Sequence, residues 1–263
     1  DSSTLPPILS GGRWGSMDYF LNYFNMSKIL LWIQPTGRLH IGNYFGALKK
    51  GLEMQEEHEV TFLVADIHAN SNPWVTRLFI DSLEDMWCNN VHEQYTNVLE
   101  LFYRLAHSTS VSELARLPQY QTKEQTLHML SYPLLMASDI IVSECDAVIV
   151  GDDQEPHMHF YREIARRNGY KEAMTIKSDT PRIMSIKDPS KKMSKSLWDE
   201  HCIYLDDSLE ELTEKIMKAP TTPEGVGNLL AISKLYEFEY DPERNKDSKE
   251  KLIKAIANYI YAR

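Results

Sequence analysis

Short continuous apolar runs alternating with helical periodicity constrain this chain more than any other feature. Ile29-Leu-Leu-Trp-Ile33, Val60-Thr-Phe-Leu-Val-Ala65 and the run after Asp146 to Val150 have strand length and little polar alternation. Strands of that kind belong to parallel sheets covered on both faces. A helical pattern starts at about Ile41, with Ile41, Phe45 and Leu48 on one face. Residues 77–95 keep helical spacing through Leu78, Ile80, Leu83, Met86, Trp87 and Val91. Asn97-Val-Leu-Glu-Leu-Phe-Tyr103 reads as a further strand. Residues 110–145 read as helices broken at Tyr132-Pro133, and a helix opens at Gly151-Asp-Asp-Gln154 and runs to about Arg167. The alternation predicts an α/β fold, a Rossmann-like doubly wound parallel sheet. Residues 171–196 read as loop and turn, and everything after Ser208 reads as helix. The expected division is a tag or N-terminal extension over 1–26, a catalytic domain over 27–196 and a smaller helical domain over 197–263.

Composition narrows the setting. The chain has 263 residues, 43% hydrophobic and 25% charged, an ordinary globular balance for one sizeable domain plus a smaller one. No run of about 18 apolar residues occurs, so no membrane helix is expected. The net charge of −10 argues against a generally basic, nucleic-acid-coating surface but leaves room for a local basic face. Cys88, Cys145 and Cys202 are far apart and form no Cys-x-x-Cys pair, which argues against structural zinc and fits a reducing compartment, the cytoplasm or an organellar matrix. His157 and His159 are two apart on a helix and point to different faces, so no metal ligand set is expected there. The breakers Pro6-Pro7, Gly11-Gly12 and Gly15-Ser16 before Met17 set residues 1–16 apart from the fold.

Two motifs carry phosphate chemistry. In Ile33-Gln-Pro-Thr-Gly-Arg-Leu-His-Ile-Gly-Asn43, a strand, a tight turn and a helix start form a cradle whose backbone N–H groups point at anions. Gly37 and Gly42 allow close backbone approach. His40 and Asn43 are three apart and can both donate to a phosphate. Lys191-Lys-Met-Ser-Lys-Ser196 follows Pro189-Ser190 on an exposed loop, where lysines can neutralise a leaving pyrophosphate. Between them, Ser131-Tyr-Pro-Leu-Leu-Met-Ala-Ser-Asp139 places Met136 and Asp139 on one helical face. A thioether beside a carboxylate suits an indole, the sulfur touching the ring and the carboxylate accepting its N–H.

The first motif resembles the HIGH signature of the class I aminoacyl-tRNA synthetases, with Asn43 in the last place. The second matches the KMSKS loop at Lys192 through Ser196, and Arg182-Ile-Met-Ser185 upstream is similar as well. Gln34-Pro-Thr-Gly37 and Asn43-Tyr-Phe-Gly-Ala-Leu48 resemble the bacterial and organellar tryptophanyl branch. Trp32 departs from that branch, which usually carries Gly there, and puts a bulky ring beside the expected amino-acid pocket. The likeness covers about residues 29–236.

This resemblance implies that His40, Asn43, Lys192 and Lys195 act in catalysis, and that Gln34, Gly42, Asp153, Met193, Ser194 and Ser196 hold ATP. It implies that tryptophan meets His68, Tyr132, Met136, Asp139, Val148, Val150 and Gln154. ATP with Mg²⁺, tRNA(Trp), tryptophan and a homodimeric partner follow from it. The segment 113–123 would lie on the subunit-contact side and Gly225-Val-Gly-Asn-Leu-Leu230 near the anticodon-reading region. The implied activity is a tryptophan–tRNA ligase working through a tryptophanyl adenylate. Two alternatives share parts of the pattern: another HIGH-superfamily nucleotidyltransferase, and a paralogue that binds tryptophan or ATP without charging tRNA.

Overall fold

The computed structural model describes residues 28–151, 154–177, 180 and 182–261. Its centre is a five-stranded sheet of order β3-β2-β1-β4-β5, parallel at every pairing. The first strand, β1 (Lys28–Ile33), feeds a continuous helical stretch, α1, over 41–54, whose middle turn Tyr44–Leu48 is π-helical. β2 (Glu59–Val64) is followed by a single turn, α2 (Asp66–Ala69), and by α3 (Pro73–Asp85). The edge strand β3 (Val91–Glu93) leads to α4 (Val98–Ala106), α5 (Val111–Ala115), α6 (Pro118–Thr122) and the long α7 (Leu127–Ser143). β4 (Ala147–Val150), α8 (Glu155–Asn168) and the second edge strand β5 (Met174–Lys177) complete the sheet. The chain closes with α9 (Leu209–Met217), α10 (Pro223–Leu235) and α11 (Asn245–Tyr261).

Strand periodicity sorts the core onto two faces. Ile29 and Leu31 of β1 point into one cluster with Phe45 and Leu48 of α1 and with Leu212, Leu229, Leu252 and Ile256 of the C-terminal helices. Leu30 points the other way, with Met136 and Ile140 of α7, Val148 and Val150 of β4, and Met158 and Tyr161 of α8; Trp32 packs on that second cluster. The terminal helices thus share one apolar cluster with the sheet. Gly51 lets α1 lie close on it, since a Cβ there would come within 2.7 Å of Leu31 and 2.9 Å of Phe62.

Four elements differ from their sequence reading. Residues 98–103 lie in α4, with Asn97 as its N-cap, rather than in a strand, because Val98, Leu101 and Leu105 bury at helical spacing against α7. Helix α7 runs through Tyr132-Pro133 without a break, since residues 132–140 are all buried and packing by α4 and α8 offsets the hydrogen bond that Pro133 cannot make. The helix read over 77–95 ends at Asp85; Trp87 takes a positive φ of 69° and Val91 becomes the first residue of β3. Within 171–196, β5 is a four-residue edge strand pairing with β4, and its mixed burial leaves no apolar run to read.

Candidate active site

The strand order reverses at β1, which pairs with β2 on one side and β4 on the other. In open α/β sheets ligands bind outside the carboxyl ends of the strands at such a switch point. A cavity of about 740 Å³ lies there. Its walls come from the end of β1 (Gln34, Thr36), the start of α1 (Gly42, Asn43, Gly46), α2 (His68), α7 (Tyr132, Met136) and the end of β4 (Val150, Gly151), with Gln154, Arg182, Lys192 and Met193. Both signature segments therefore border one cavity.

The backbone closes the long sequence separation between them. Ile41 N–H donates to Ile203 O at 2.9 Å and Leu205 N–H to Leu39 O at 2.8 Å, so the segment 203–205 downstream of the lysine loop is stitched by an isolated antiparallel bridge to the turn before α1. At this seam the Arg38 guanidinium lies 4.2 Å and the Lys215 ammonium 4.7 Å from the centre of the Tyr204 ring. Lys195 Nζ donates to Gly37 O at 3.1 Å and Thr36 Oγ1 at 3.3 Å, reaching across to the turn itself. Burial lowers its pKa to about 8. Met193 is buried and its N–H donates to Ile183 O at 3.1 Å.

His40 is buried behind the cavity wall, and burial, together with the charges of Lys195 and Lys192, lowers its pKa to about 4. It is therefore a neutral imidazole at pH 7, with Nδ1 unpartnered among the described residues. Its ring folds over Gly42, where a Cβ would sit 2.9 Å from it, so this turn needs glycine. Asn43 Oδ1 accepts from the His40 N–H at 3.2 Å, which leaves the Asn43 amide hydrogens to donate elsewhere. The π-helical turn that follows is a distortion that recurs at functional sites.

The other end of the cavity is aromatic. The Tyr132 ring meets His68 edge-on at 4.7 Å and Trp32 at 5.8 Å. Met136 and Val150 line the wall, while Val148 is wholly buried in the core behind it. Gln154 Oε1 lies 2.9 Å from His157 Nδ1, so the buried His157 orients a cavity residue, whereas His159 faces solvent beside Glu155 at 3.6 Å. Asp139 is fully buried and does not reach the cavity. Its carboxylate accepts from Gln94 Nε2 at 2.7 and 2.9 Å, His68 Nε2 at 3.0 Å and Trp32 Nε1 at 3.1 Å. Gln94 had no signal in the sequence. It sits just past β3, and its Oε1 also accepts from the Ile67 N–H at 2.7 Å. Asp153 and the Ser196 side chain lie outside the described residues; Ser194 is half-buried beside Met193 and, like His40 and Lys195, does not line the cavity.

Comparison with known proteins agrees with this geometry. The family tRNA synthetases class I (W and Y) matches residues 25–86 and 75–262. The chain belongs to the class I tRNA synthetases. Among the members it resembles, the tryptophan–tRNA ligase of Mycoplasma genitalium is 30% identical over 90% of this chain and 81% of its own length. That of Rickettsia conorii is 33% identical over 88% and 78%. The crystal structure of tryptophanyl-tRNA synthetase from Mycoplasma pneumoniae superposes with a TM-score of 0.77 at 27% identity, over 89% of this chain and 85% of that one. The family spans W and Y members, so the amino-acid end of the cavity carries the question of substrate.

Proposed function

We propose that this chain is a tryptophan–tRNA ligase, which forms tryptophanyl adenylate and pyrophosphate from tryptophan and ATP and then passes the activated carboxyl to the terminal ribose of tRNA(Trp). One observation carries the reading. A single cavity is bordered by Gly42 and Asn43 of the first signature and by Lys192 and Met193 of the lysine loop on one side, and by Tyr132, Met136 and His68 on the other. The naming of its relatives as tryptophan–tRNA ligases supports the same choice.

In this reading no side chain attacks the substrate. The tryptophan carboxylate displaces pyrophosphate at the α-phosphorus, and the rate comes from position and charge. Lys192 and Lys195 balance negative charge growing on the leaving pyrophosphate. Asn43 donates its amide hydrogens, and neutral His40 offers a hydrogen bond without adding charge. Gln34, Gly42, Asp153, Met193, Ser194 and Ser196 frame the nucleotide. His68, Tyr132, Met136, Val148, Val150 and Gln154 shape the amino-acid end, with Asp139 as its buried anchor. Among the described residues no group of three or more His, Cys, Asp or Glu side chains gathers to hold a metal, so Mg²⁺ would enter on the ATP phosphates, its usual mode in nucleotide sites. A homodimer, and the cytoplasm or an organellar matrix as the site of action, complete the proposal.

Tryptophan-dependent ATP–pyrophosphate exchange tests the amino acid. Exchange should be strong with tryptophan and far weaker with tyrosine or phenylalanine, and equal rates with all three would remove the specificity claim. The profile with pH tests the lysine. With its pKa near 8, Lys195 loses its charge as pH rises through that value. The kcat/KM for ATP in exchange should therefore fall above about pH 8, because that ratio reports the free enzyme. Lys195→Arg keeps its charge at higher pH and should move the fall upward; a profile that stays flat well past this point would count against the role.

A further inference from the structure

We propose that the Trp32 indole is an internal occupant of the indole seat, so that a free indole-bearing ligand enters only by exchanging with it. The identity of that ligand as tryptophan rests on the function proposed above; the occupancy itself rests on Trp32 and its neighbours. Trp32 stands at the carboxyl end of β1, on the sheet face covered by α7 and α8. Its Nε1–H donates to Asp139 Oδ2 at 3.1 Å. Its ring is perpendicular to His68 at 4.7 Å and close to perpendicular to Tyr132 at 5.8 Å. A carboxylate for the N–H and aromatic edges around the ring are what an indole needs for recognition.

The geometry also blocks a second indole. Trp32 borders the cavity and Asp139 does not, so the ring lies between the carboxylate and the space from which a ligand would arrive. Asp139 is fully buried and already accepts from Trp32, His68 and Gln94. An incoming indole finds no route to that carboxylate until Trp32 leaves. The apparent affinity for such a ligand is then reduced by the fraction of molecules in which Trp32 is displaced. Trp32 is thereby a specificity-determining residue: it sets how much free tryptophan the protein needs and closes the seat to rings that cannot compete for Asp139.

Free indole as a probe and tryptophan as a substrate separate the two layers. Trp32→Gly should open an apolar, polar-ended hollow, and indole should raise the melting temperature of the variant while leaving the wild type unmoved. In exchange, the KM for tryptophan should fall about tenfold or more in Trp32→Gly, with the KM for ATP nearly constant. Equal indole binding by wild type and variant, or a tryptophan KM that stays the same or rises, would overturn the proposal. If indole binds only the variant but neither protein exchanges pyrophosphate with tryptophan, internal occupancy stands and the ligase reading falls. Should Trp32→Gly not fold, Trp32→Phe decides: a smaller ring without the N–H to Asp139 should lower the tryptophan KM severalfold, and an unchanged value overturns the proposal.

Discussion

Lys195→Ala is expected to slow tryptophan-dependent pyrophosphate exchange by about 10²–10³-fold, the usual scale for losing one group aimed at developing charge. The loss should fall on kcat rather than on tryptophan binding, because Lys195 reaches the turn at Thr36 and Gly37 rather than the aromatic end of the cavity. The fold should survive. Residues 39–41 remain tied to 203–205 by backbone hydrogen bonds that do not involve the lysine. Stopped-flow or exchange kinetics with a melting curve on the same sample read both quantities. Wild-type rates with an intact fold would contradict the clamp role of this loop.

Asp139→Ala should have two large effects of different kind. It strands the Gln94, His68 and Trp32 donors in a buried site. Unmet buried donors cost about 1–3 kcal/mol each, and a broken buried network about 3–5 kcal/mol in total, so denaturant melts should show a loss of at least about 3 kcal/mol. The second effect is on selection. A site that hydrogen-bonds a substrate group rejects analogues lacking it by orders of magnitude. The ratio of kcat/KM for tryptophan over phenylalanine should therefore collapse while the KM for ATP changes little. Asp139→Asn, which keeps the shape, separates the two effects by retaining more stability. Unchanged discrimination in both variants would remove Asp139 from amino-acid selection.

What could be read from the chain follows burial. β1, β2 and β4 lie in the middle of the sheet, and their apolar runs announce that both faces are covered. β3 and β5 are edge strands with exposed positions, Val-His-Glu and Met-Thr-Ile-Lys, so neither carries the continuous apolar run that marks the equally short but fully buried β4. Helix α4 reads as a strand because Leu99 and Tyr103, though exposed, extend the apolar run beyond the buried Val98, Leu101 and Leu105. Among the candidate site residues, the two signature segments were legible because turns, glycines and lysines at fixed spacing carry their own chemistry. Gln94 was not, since a single polar residue gains its role only from where β3 ends. Trp32 stood out by type, but its partner Asp139 lies 107 positions away and only the fold brings the two together.

The most direct measurement of the central claim is aminoacylation of a tRNA(Trp) transcript, with tryptophan and tyrosine offered separately under the same ATP and Mg²⁺. The account predicts ATP-dependent accumulation of a base-labile tryptophanyl ester on the tRNA and little or none with tyrosine. Binding of ATP and tryptophan with no ester formed, or equal charging with tyrosine, would contradict it.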